Sequence, residues 1–190
     1  MSSIRMVAPD DVVVNGRLFR RFLSAEDIAS IVRRLAEEVG RDYEGKNPLL
    51  CPVLTGAYIF AADLSRALHV EHEVSFVRYS SYEGMKSSGE VRELLPFGRI
   101  CEGRHVIIVE DIVESGLCMS QMLRRVWLTK PASVAICSFF FKPNCFKQDF
   151  KIDYIGHSIS DDFVLGYGLD YDGAARGLDS VYVLSKEESR

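Results

Sequence analysis

The sequence predicts an α/β fold in which a mainly parallel sheet is flanked by helices. Strand-like apolar runs alternate with helix-like amphipathic runs along the 190 residues, a pattern typical of such sheets. Residues 106–109 (Val-Ile-Ile-Val) show no polar alternation, which indicates a strand buried on both faces. A chain of this length with 47% hydrophobic residues suits a single domain, here 1–190, with a sizeable core.

Composition also narrows the function classes. A net charge of −4 argues against a nucleic-acid-binding protein, which would carry a basic stripe. The chain has no apolar run of about 18 residues, so we expect no membrane partner. The five cysteines lack CxxC spacing, and Cys51 and Cys137 fall in predicted core strands. We therefore expect reduced thiols and a cytoplasmic protein.

The predicted elements follow in order. Ser24 and Asp27 are typical of a helix start, and a helix is expected over 25–42. Its apolar residues recur at helical spacing: Ile28, Ile31, Val32, Leu35 and Val39. A strand over 49–54 contains Pro52, which favours a position near a sheet edge or a bulge. Further helices are expected over 57–69 and 117–129, and strands over 73–78, 132–141, 153–159, 163–165 and 181–184. We expect a small subdomain, built mainly from about 142–190, beside the main sheet.

The segment after the buried strand carries the chemistry. Glu110 and Asp111 end the strand, and a short loop through Glu114 and Ser115-Gly116 opens the next helix. A helix N-terminus attracts anions through its backbone N–H groups and dipole. Carboxylates repel phosphate, so they should face sugar hydroxyls, a metal ion or a proton to be removed. A sugar phosphate would satisfy the whole set; an ordinary strand end with a capped turn is the alternative.

This segment resembles the diphosphate-sugar signature of type I phosphoribosyltransferases. That signature is an apolar strand followed by two acids, two aliphatic residues, an acid, Ser/Thr-Gly, any one residue and Thr. In this chain Glu114 stands where the signature usually has Asp, and Cys118 stands where it usually has Thr. The resemblance implies that Glu110 and Asp111 hold Mg²⁺ and the sugar hydroxyls, and that Glu114 handles the purine N7 proton. It also implies a loop for the 5-phosphate and ribose, formed by Glu114, Ser115, Gly116, Leu117 and Cys118.

Three further segments resemble the hypoxanthine-guanine branch of that family, although each alone would pass for ordinary structure. Leu54-Thr55-Gly56 is similar to a pyrophosphate loop with a cis peptide, which implies that Thr55 and Gly56, with Arg176, hold pyrophosphate. The polar stretch 80–90 is either a plain surface loop or a flexible lid that uses Ser81 and Tyr82. The third segment lies in the C-terminal third of the chain, and its resemblance implies four purine-site residues. Lys142 would donate to a 6-oxo group, Phe163 would stack on the ring, the Val164 carbonyl would accept from the base edge, and Asp170 would bind Mg²⁺.

The resemblance covers Ser24 to Leu184. It implies a type I phosphoribosyltransferase fold with a hood for the base, and a bacterial-type purine-salvage enzyme. The enzyme would make IMP or GMP and pyrophosphate from hypoxanthine or guanine and 5-phospho-α-D-ribosyl 1-diphosphate, with Mg²⁺, as a homodimer or homotetramer. Two alternatives stay open: a phosphoribosyltransferase for another base, and a non-enzymatic regulator that senses the diphosphate sugar or nucleotides and binds nucleic acid. A Rossmann dehydrogenase is not supported, because no GxGxxG follows a strand.

Overall fold

A computed structural model describes residues 4–81 and 91–186, which form two sheets and three α-helices. The strands in chain order are β1 (Ile4–Ala8), β2 (Asp11–Val14), β3 (Arg17–Leu23), β4 (Leu49–Leu54), β5 (Glu73–Val74), β6 (Val77–Ser81), β7 (Val91–Leu95), β8 (His105–Val113), β9 (Ser133–Phe141), β10 (Tyr154–Ser158), β11 (Val164–Leu165) and β12 (Val181–Leu184). The helices are α1 (Ala25–Asp42), α2 (Tyr58–Ala67) and α3 (Leu117–Leu128), with a 3₁₀ turn at Arg99–Cys101.

The large sheet has the order β10-β9-β8-β4-β6-β7, with β5 also paired to β4, and it is parallel except for β7. Ile107 and Val109 join the apolar cluster under α1 and α2, whereas Val106 and Ile108 join the cluster under α3. Helices therefore cover both faces, which confirms the predicted α/β fold and the doubly buried central strand. Neither described stretch contains a helix long and apolar enough to cross a membrane.

The start of α1 is fixed by the predicted cap. The hydroxyl of Ser24 accepts a hydrogen bond from the backbone N–H of Asp27 at 3.1 Å, and Asp27 Oδ2 accepts one from the N–H of Ser24 at 3.0 Å. This reciprocal pair satisfies two donors that a helix start leaves unpaired. The bounds of α1 are as predicted, and most other predicted elements end within two residues of the observed ones.

The small sheet, the hood, is antiparallel with the order β1-β2-β3-β12-β11. Phe19, Leu165 and Tyr182 lie in its apolar core. Three of its five strands come from residues 4–23, which the sequence analysis left without structure, so the expected range 142–190 omitted more than half of the sheet's strands. The Asn15-Gly16 turn between β2 and β3, with φ of 49° and 81°, is the sequence signal that indicates this hairpin.

Pro52 does not lie at a sheet edge, one of the two positions expected for it, but at an irregularity in the strand pairing. β4 is paired on one side with β8, and on the other first with β5, through Leu50, and then with β6, from Val53 onward. Pro52 falls between these two partners, so its missing N–H coincides with a break in the ladder. The same break divides the predicted strand 73–78 into β5 and β6.

Candidate active site

The carboxyl ends of β4, β8 and β9 lie at one edge of the large sheet, because these strands are parallel neighbours. β8 pairs with β9 from His105–Ser133 to Val113–Phe141, so it continues beyond the predicted run 106–109 and includes the acid pair. Glu114 and Lys142 each follow directly after one of these strands. The pairing therefore brings together two predicted site residues that are 28 positions apart.

Glu110 and Asp111 form a half-buried carboxylate pair near the end of β8. Burial raises the pKa of both groups, and the adjoining Asp111 carboxylate raises that of Glu110 further. Hydrogen bonds, including one that Asp111 Oδ1 accepts from the N–H of Ile112 at 2.9 Å, and the Arg176 guanidinium work against the rise at Asp111. Two carboxylates that resist joint ionisation suit a ligand that supplies hydroxyl donors or positive charge.

The loop after β8 ends at Gly116, the N-cap of α3, whose φ of 76° favours glycine. A β-carbon at residue 116 would stand 2.6 Å from Phe146 and 2.7 Å from Gln148. Between those two contacts, the N–H of Lys147 donates to the carbonyl of Ser115 at 3.4 Å. The segment around Lys147 therefore holds the loop in place, and the first turn of α3, which carries no acidic residue, can receive an anion.

The side chain of Cys118, in the first turn of α3, is partly buried. It packs against the apolar cluster under α3, on the same helix face as the buried Met122 one turn later. Burial first, and the nearby Glu110 carboxylate second, raise the pKa of the Cys118 thiol to about 11. A helix N-terminus lowers the pKa of a nearby thiol, but here desolvation outweighs that effect.

Lys142 and Glu114 form an ion pair between Nζ and Oε1. The two partners differ in exposure: the Lys142 side chain is 8% exposed, whereas that of Glu114 is 53% exposed. The backbone N–H of Lys142 also donates to the carbonyl of Val113 at 3.0 Å, which fixes the residue at the strand end. A buried ammonium donor thus lies beside an accessible carboxylate acceptor.

The Leu54–Thr55 peptide bond is cis, as the resemblance implies. The next residue, Gly56, lies against Asp111, because a β-carbon there would stand 1.6 Å from Asp111 Oδ2. The carbonyl oxygen of Gly56 in turn lies 2.1 Å from where a β-carbon of Gly168 would stand. The Thr55–Gly56 loop is therefore held between the acid pair and the segment that follows β11.

Arg176 and Asp170 are paired beside this loop. Arg176 Nη2 lies 2.6 Å from Asp170 Oδ1, and Asp170 Oδ2 accepts from the N–H of Gly173 at 2.7 Å. Across residues 4–81 and 91–186, no three His, Cys, Asp or Glu side chains converge as a metal-binding group. The predicted ligands Glu110, Asp111 and Asp170 thus do not form a protein-only metal cage.

Phe163 immediately precedes β11 and is 44% exposed. Its ring packs on Phe19 of β3 and Tyr171, with centroid distances of 6.3 and 5.7 Å, so one side is supported and the other is accessible. Hydrogen bonds from Ser160 and Lys186, and more weakly the Lys142 ammonium, lower the pKa of the neighbouring Asp162. Val164 is buried in β11.

Sequence reasoning missed the residues that support the site: Phe19, Phe146, Gln148, Tyr167, Gly168 and Tyr171. Phe19 was missed because the N-terminal hairpin was not predicted, although the Asn-Gly turn indicates it. The lid prediction falls mostly outside the described residues: the backbone of Ser81 ends β6, and Tyr82 lies beyond them.

Comparisons with known proteins agree with this geometry. Residues 21–172 match the family model described as phosphoribosyl transferase domain. The hypoxanthine-guanine phosphoribosyltransferase of Mycobacterium tuberculosis is 40% identical over 169 residues, covering 85% of this chain and 84% of that relative. That of Aquifex aeolicus is 36% identical over 173 residues, covering 90% and 97%. A solved hypoxanthine-guanine phosphoribosyltransferase from Bacillus anthracis is similar with a TM-score of 0.82 and 32% identity, covering 87% of this chain and 98% of that one. The chain therefore belongs to the phosphoribosyltransferase family and has its type I fold.

Proposed function

We propose that this protein is a purine-salvage pentosyltransferase. It transfers the 5-phosphoribosyl group from 5-phospho-α-D-ribosyl 1-diphosphate to hypoxanthine or guanine, giving IMP or GMP and pyrophosphate. The relatives at 36–40% identity carry the name hypoxanthine-guanine phosphoribosyltransferase and are matched over most of their length, which supports this activity.

The contact between Lys142 and Glu114 is the observation that supports a 6-oxopurine as the base. A lysine ammonium has three donors and no acceptor, and an ionised glutamate has only acceptors. Side by side, they complement the purine edge that presents a 6-oxo acceptor next to an N7 proton. Adenine would instead direct a 6-amino donor at the Lys142 ammonium, so that two donors face each other, which is unfavourable.

The remaining roles follow the polarity of each group. The Glu110–Asp111 pair accepts hydrogen bonds from the ribose hydroxyls, and the Ser115–Cys118 backbone at the start of α3 binds the 5-phosphate. Thr55, Gly56 and Arg176 hold the pyrophosphate. Phe163 stacks on the purine, for which an aromatic face provides about 1–3 kcal/mol, and the Val164 carbonyl accepts from the base edge.

In the reaction, the sugar C1–oxygen bond to pyrophosphate breaks and a bond from a purine ring nitrogen to C1 forms. The incoming base must lose a proton, and Glu114 takes it from N7 as general base. Arg176 stabilises negative charge on the departing pyrophosphate. The 53% exposure of Glu114 leaves its carboxylate accessible to a bound purine. Ser81 and Tyr82 belong to the proposed lid that closes over this step.

Mg²⁺ is the proposed cofactor, and the acid pair fits a cation that arrives with the diphosphate sugar. Added positive charge favours the ionised form of Glu110 and Asp111, whose pKa values burial raises. Mg²⁺ commonly uses one or two carboxylates together with substrate phosphates, and it would neutralise charge on the leaving group. Asp170 would have to exchange its contact with Arg176 or Gly173 before it could bind a metal.

A panel of free bases tests the function. Hypoxanthine, guanine, xanthine, adenine, orotate and uracil are each incubated with the diphosphate sugar and Mg²⁺, and nucleotides are quantified. We expect IMP and GMP, far less AMP, and no turnover with EDTA. Lys142→Met should abolish product formation, whereas the control Lys151→Met, which removes an 85%-exposed lysine paired with Asp153, should not. Efficient AMP synthesis would indicate another base, and sugar binding without any product would indicate a regulator.

Two further proposals concern the state of the protein in the cell. We place it in the cytoplasm, because its five free cysteines suit a reducing compartment. We also propose a homodimer or homotetramer acting on small molecules without nucleic-acid partners. Sedimentation equilibrium of the purified protein measures the assembly, and a purely monomeric distribution at assay concentrations would contradict it.

A further inference from the structure

Three consecutive residues after β11 have left-handed backbone conformations. The φ values are 94° at Gly166, 50° at Tyr167 and 98° at Gly168. Glycine adopts this region freely, but a bulky aromatic residue rarely does. Surrounding contacts must therefore hold Tyr167 in place, and such residues cluster at functional sites.

The contacts of Tyr167 tie this segment to α2. Its side chain is 5% exposed, with its ring centroid 5.0 Å from that of Phe139. The hydroxyl donates to Oδ2 of Asp63, in the middle of α2, at 2.9 Å. The backbone N–H of Tyr167 donates to the carbonyl of Leu178 at 2.9 Å. The aromatic side chain therefore spans from the hood segment to a helix of the main domain.

The neighbouring Gly168 contacts both halves of the proposed pyrophosphate site. Its α-carbon faces the carbonyl of Gly56 with no room for a side chain. Its own carbonyl accepts from Arg176 Nη1 at 2.6 Å, and its N–H donates to the carbonyl of Arg176 at 2.9 Å. A shift of Gly168 would move the loop and the arginine relative to each other.

These contacts form a closed circuit of residues. The Thr55–Gly56 loop leads directly into α2, which contains Asp63, and Asp63 accepts the hydrogen bond from Tyr167. Tyr167 in turn precedes Gly168, which lies against Gly56. We propose that Tyr167 and Asp63 are positioning residues for pyrophosphate. Their hydrogen bond sets the distance between the Thr55–Gly56 loop and Arg176. The proposal rests on the proposed function only in taking that loop and Arg176 as the pyrophosphate site.

Tyr167→Phe tests the proposal because it removes the hydroxyl and keeps the ring. Binding of inorganic pyrophosphate with Mg²⁺, and of IMP, is measured by titration calorimetry. We expect the Kd for pyrophosphate to rise about five- to tenfold, the effect of one lost charge-assisted hydrogen bond. IMP affinity should stay unchanged, because the residues proposed for its 5-phosphate and purine do not include Thr55, Gly56 or Arg176. Asp63→Ala should match Tyr167→Phe, and the double variant should be no worse than either.

The chain offers a matched control in Tyr154. Its hydroxyl donates to Asp42 Oδ2, also at 2.9 Å, and so joins β10 to the end of α1 without contacting any proposed site residue. Tyr154→Phe should lower Tm by a similar amount and leave pyrophosphate binding unchanged. Hydrogen exchange at the amides of residues 55–57 should become faster in Tyr167→Phe and stay the same in Tyr154→Phe.

The outcomes separate this proposal from the proposed function. Equal pyrophosphate affinity and equal exchange in both Tyr→Phe variants would mean that Tyr167 only stabilises the fold, and the proposal would be overturned. Failure of the wild-type protein to bind pyrophosphate would overturn it as well. If pyrophosphate binds and responds to Tyr167→Phe while hypoxanthine gives no IMP, the proposed function fails and the positioning role stands.

Discussion

Gly56 packs so closely against Asp111 that a β-carbon at residue 56 would stand 1.6 Å from the Oδ2 atom of Asp111. Such a distance is far below any van der Waals contact. The loop proposed for pyrophosphate and the carboxylate proposed for ribose therefore share one boundary with no room for a methyl group. A change in either residue must move the other.

Gly56→Ala tests this boundary. The added methyl group must displace Asp111 or the loop by about 1 Å or more, and a misplacement of that size can cost about 10²-fold in rate. We expect kcat/KM to fall by about that factor, measured by IMP formation. Gly40→Ala is the control, because a β-carbon at residue 40, within α1, meets nothing within 4 Å. That control should gain roughly 0.5–1 kcal/mol of stability and keep full activity.

Glu110→Gln should stabilise the ligand-free protein at neutral pH. Burial raises the pKa of Glu110 in the folded protein above the ordinary value of 4.5 that applies in the unfolded chain. Between these two pKa values, the folded protein keeps the proton and the unfolded chain has lost it. The free energy of unfolding therefore falls as pH rises through that window. Glutamine cannot ionise, so the variant keeps the free energy of unfolding that the wild-type protein loses as pH rises. Its Tm should be higher by about 2–4 °C for each kcal/mol of that free energy.

The same Glu110→Gln variant should have a higher KM for the diphosphate sugar, since it loses a hydroxyl acceptor and the charge for the cation. Differential scanning calorimetry and steady-state kinetics measure the two effects. Glu44→Gln, which changes an exposed carboxylate, is expected to alter neither. A lower Tm for Glu110→Gln at neutral pH would contradict the burial argument.

Glu114→Gln should lose about 10²–10⁴-fold in kcat, the usual contribution of a general base. Glu114→Asp keeps a carboxylate and should retain much of the rate, although its shorter side chain weakens the contact with Lys142. Single-turnover IMP formation compares the two variants, with the exposed Glu37→Gln as control. If the Gln and Asp variants have equal rates, Glu114 positions the base and does not take its proton.

Cys118 should be slow to react with alkylating reagents at neutral pH. Its pKa of about 11 keeps the thiol protonated, and the thiolate is the reactive form. The rate of iodoacetamide labelling, followed on the Cys118 peptide by mass spectrometry, should rise with pH up to that value. Unfolding the protein should restore ordinary thiol reactivity. Rapid labelling of the folded protein at neutral pH would be inconsistent with the burial of this side chain.

Most of the large sheet was predictable from sequence, because its buried strands are apolar runs and its helices are amphipathic, but β7 was not predicted. α1 has both a cap and a regular apolar stripe, and its bounds matched. The hood was less predictable: β1 is exposed at all five positions, so its burial pattern carries no signal. The position of Pro52 was not predictable, because the break between β5 and β6 is a tertiary feature that the local sequence does not show.

In the site, the motifs predicted which polar residues gather but not what supports them. The contact of Glu114 with Lys142 follows from pairing two parallel strands, and both residues were named from sequence. The supports of Phe163 and Gly56 come from distant positions that no local pattern connects. The orientation of Cys118 was predictable, because Met122 lies one helical turn later and is buried on the same face.

The pairing of β3 with β12 joins residues near 20 to residues near 183. During synthesis, every strand of the large sheet leaves the ribosome before β12 does, so that sheet can fold while the hood still lacks the strand that joins β3 to β11. Pairings of such high sequence separation form late and slowly. Phe163 obtains its support from Phe19 across this junction, so a nascent chain with a complete α/β core still lacks the finished surface that we propose for the purine. We therefore expect the ability to bind the base to be acquired last. A chain stalled before β12 would contain the loops proposed for the diphosphate sugar but lack a supported Phe163 ring.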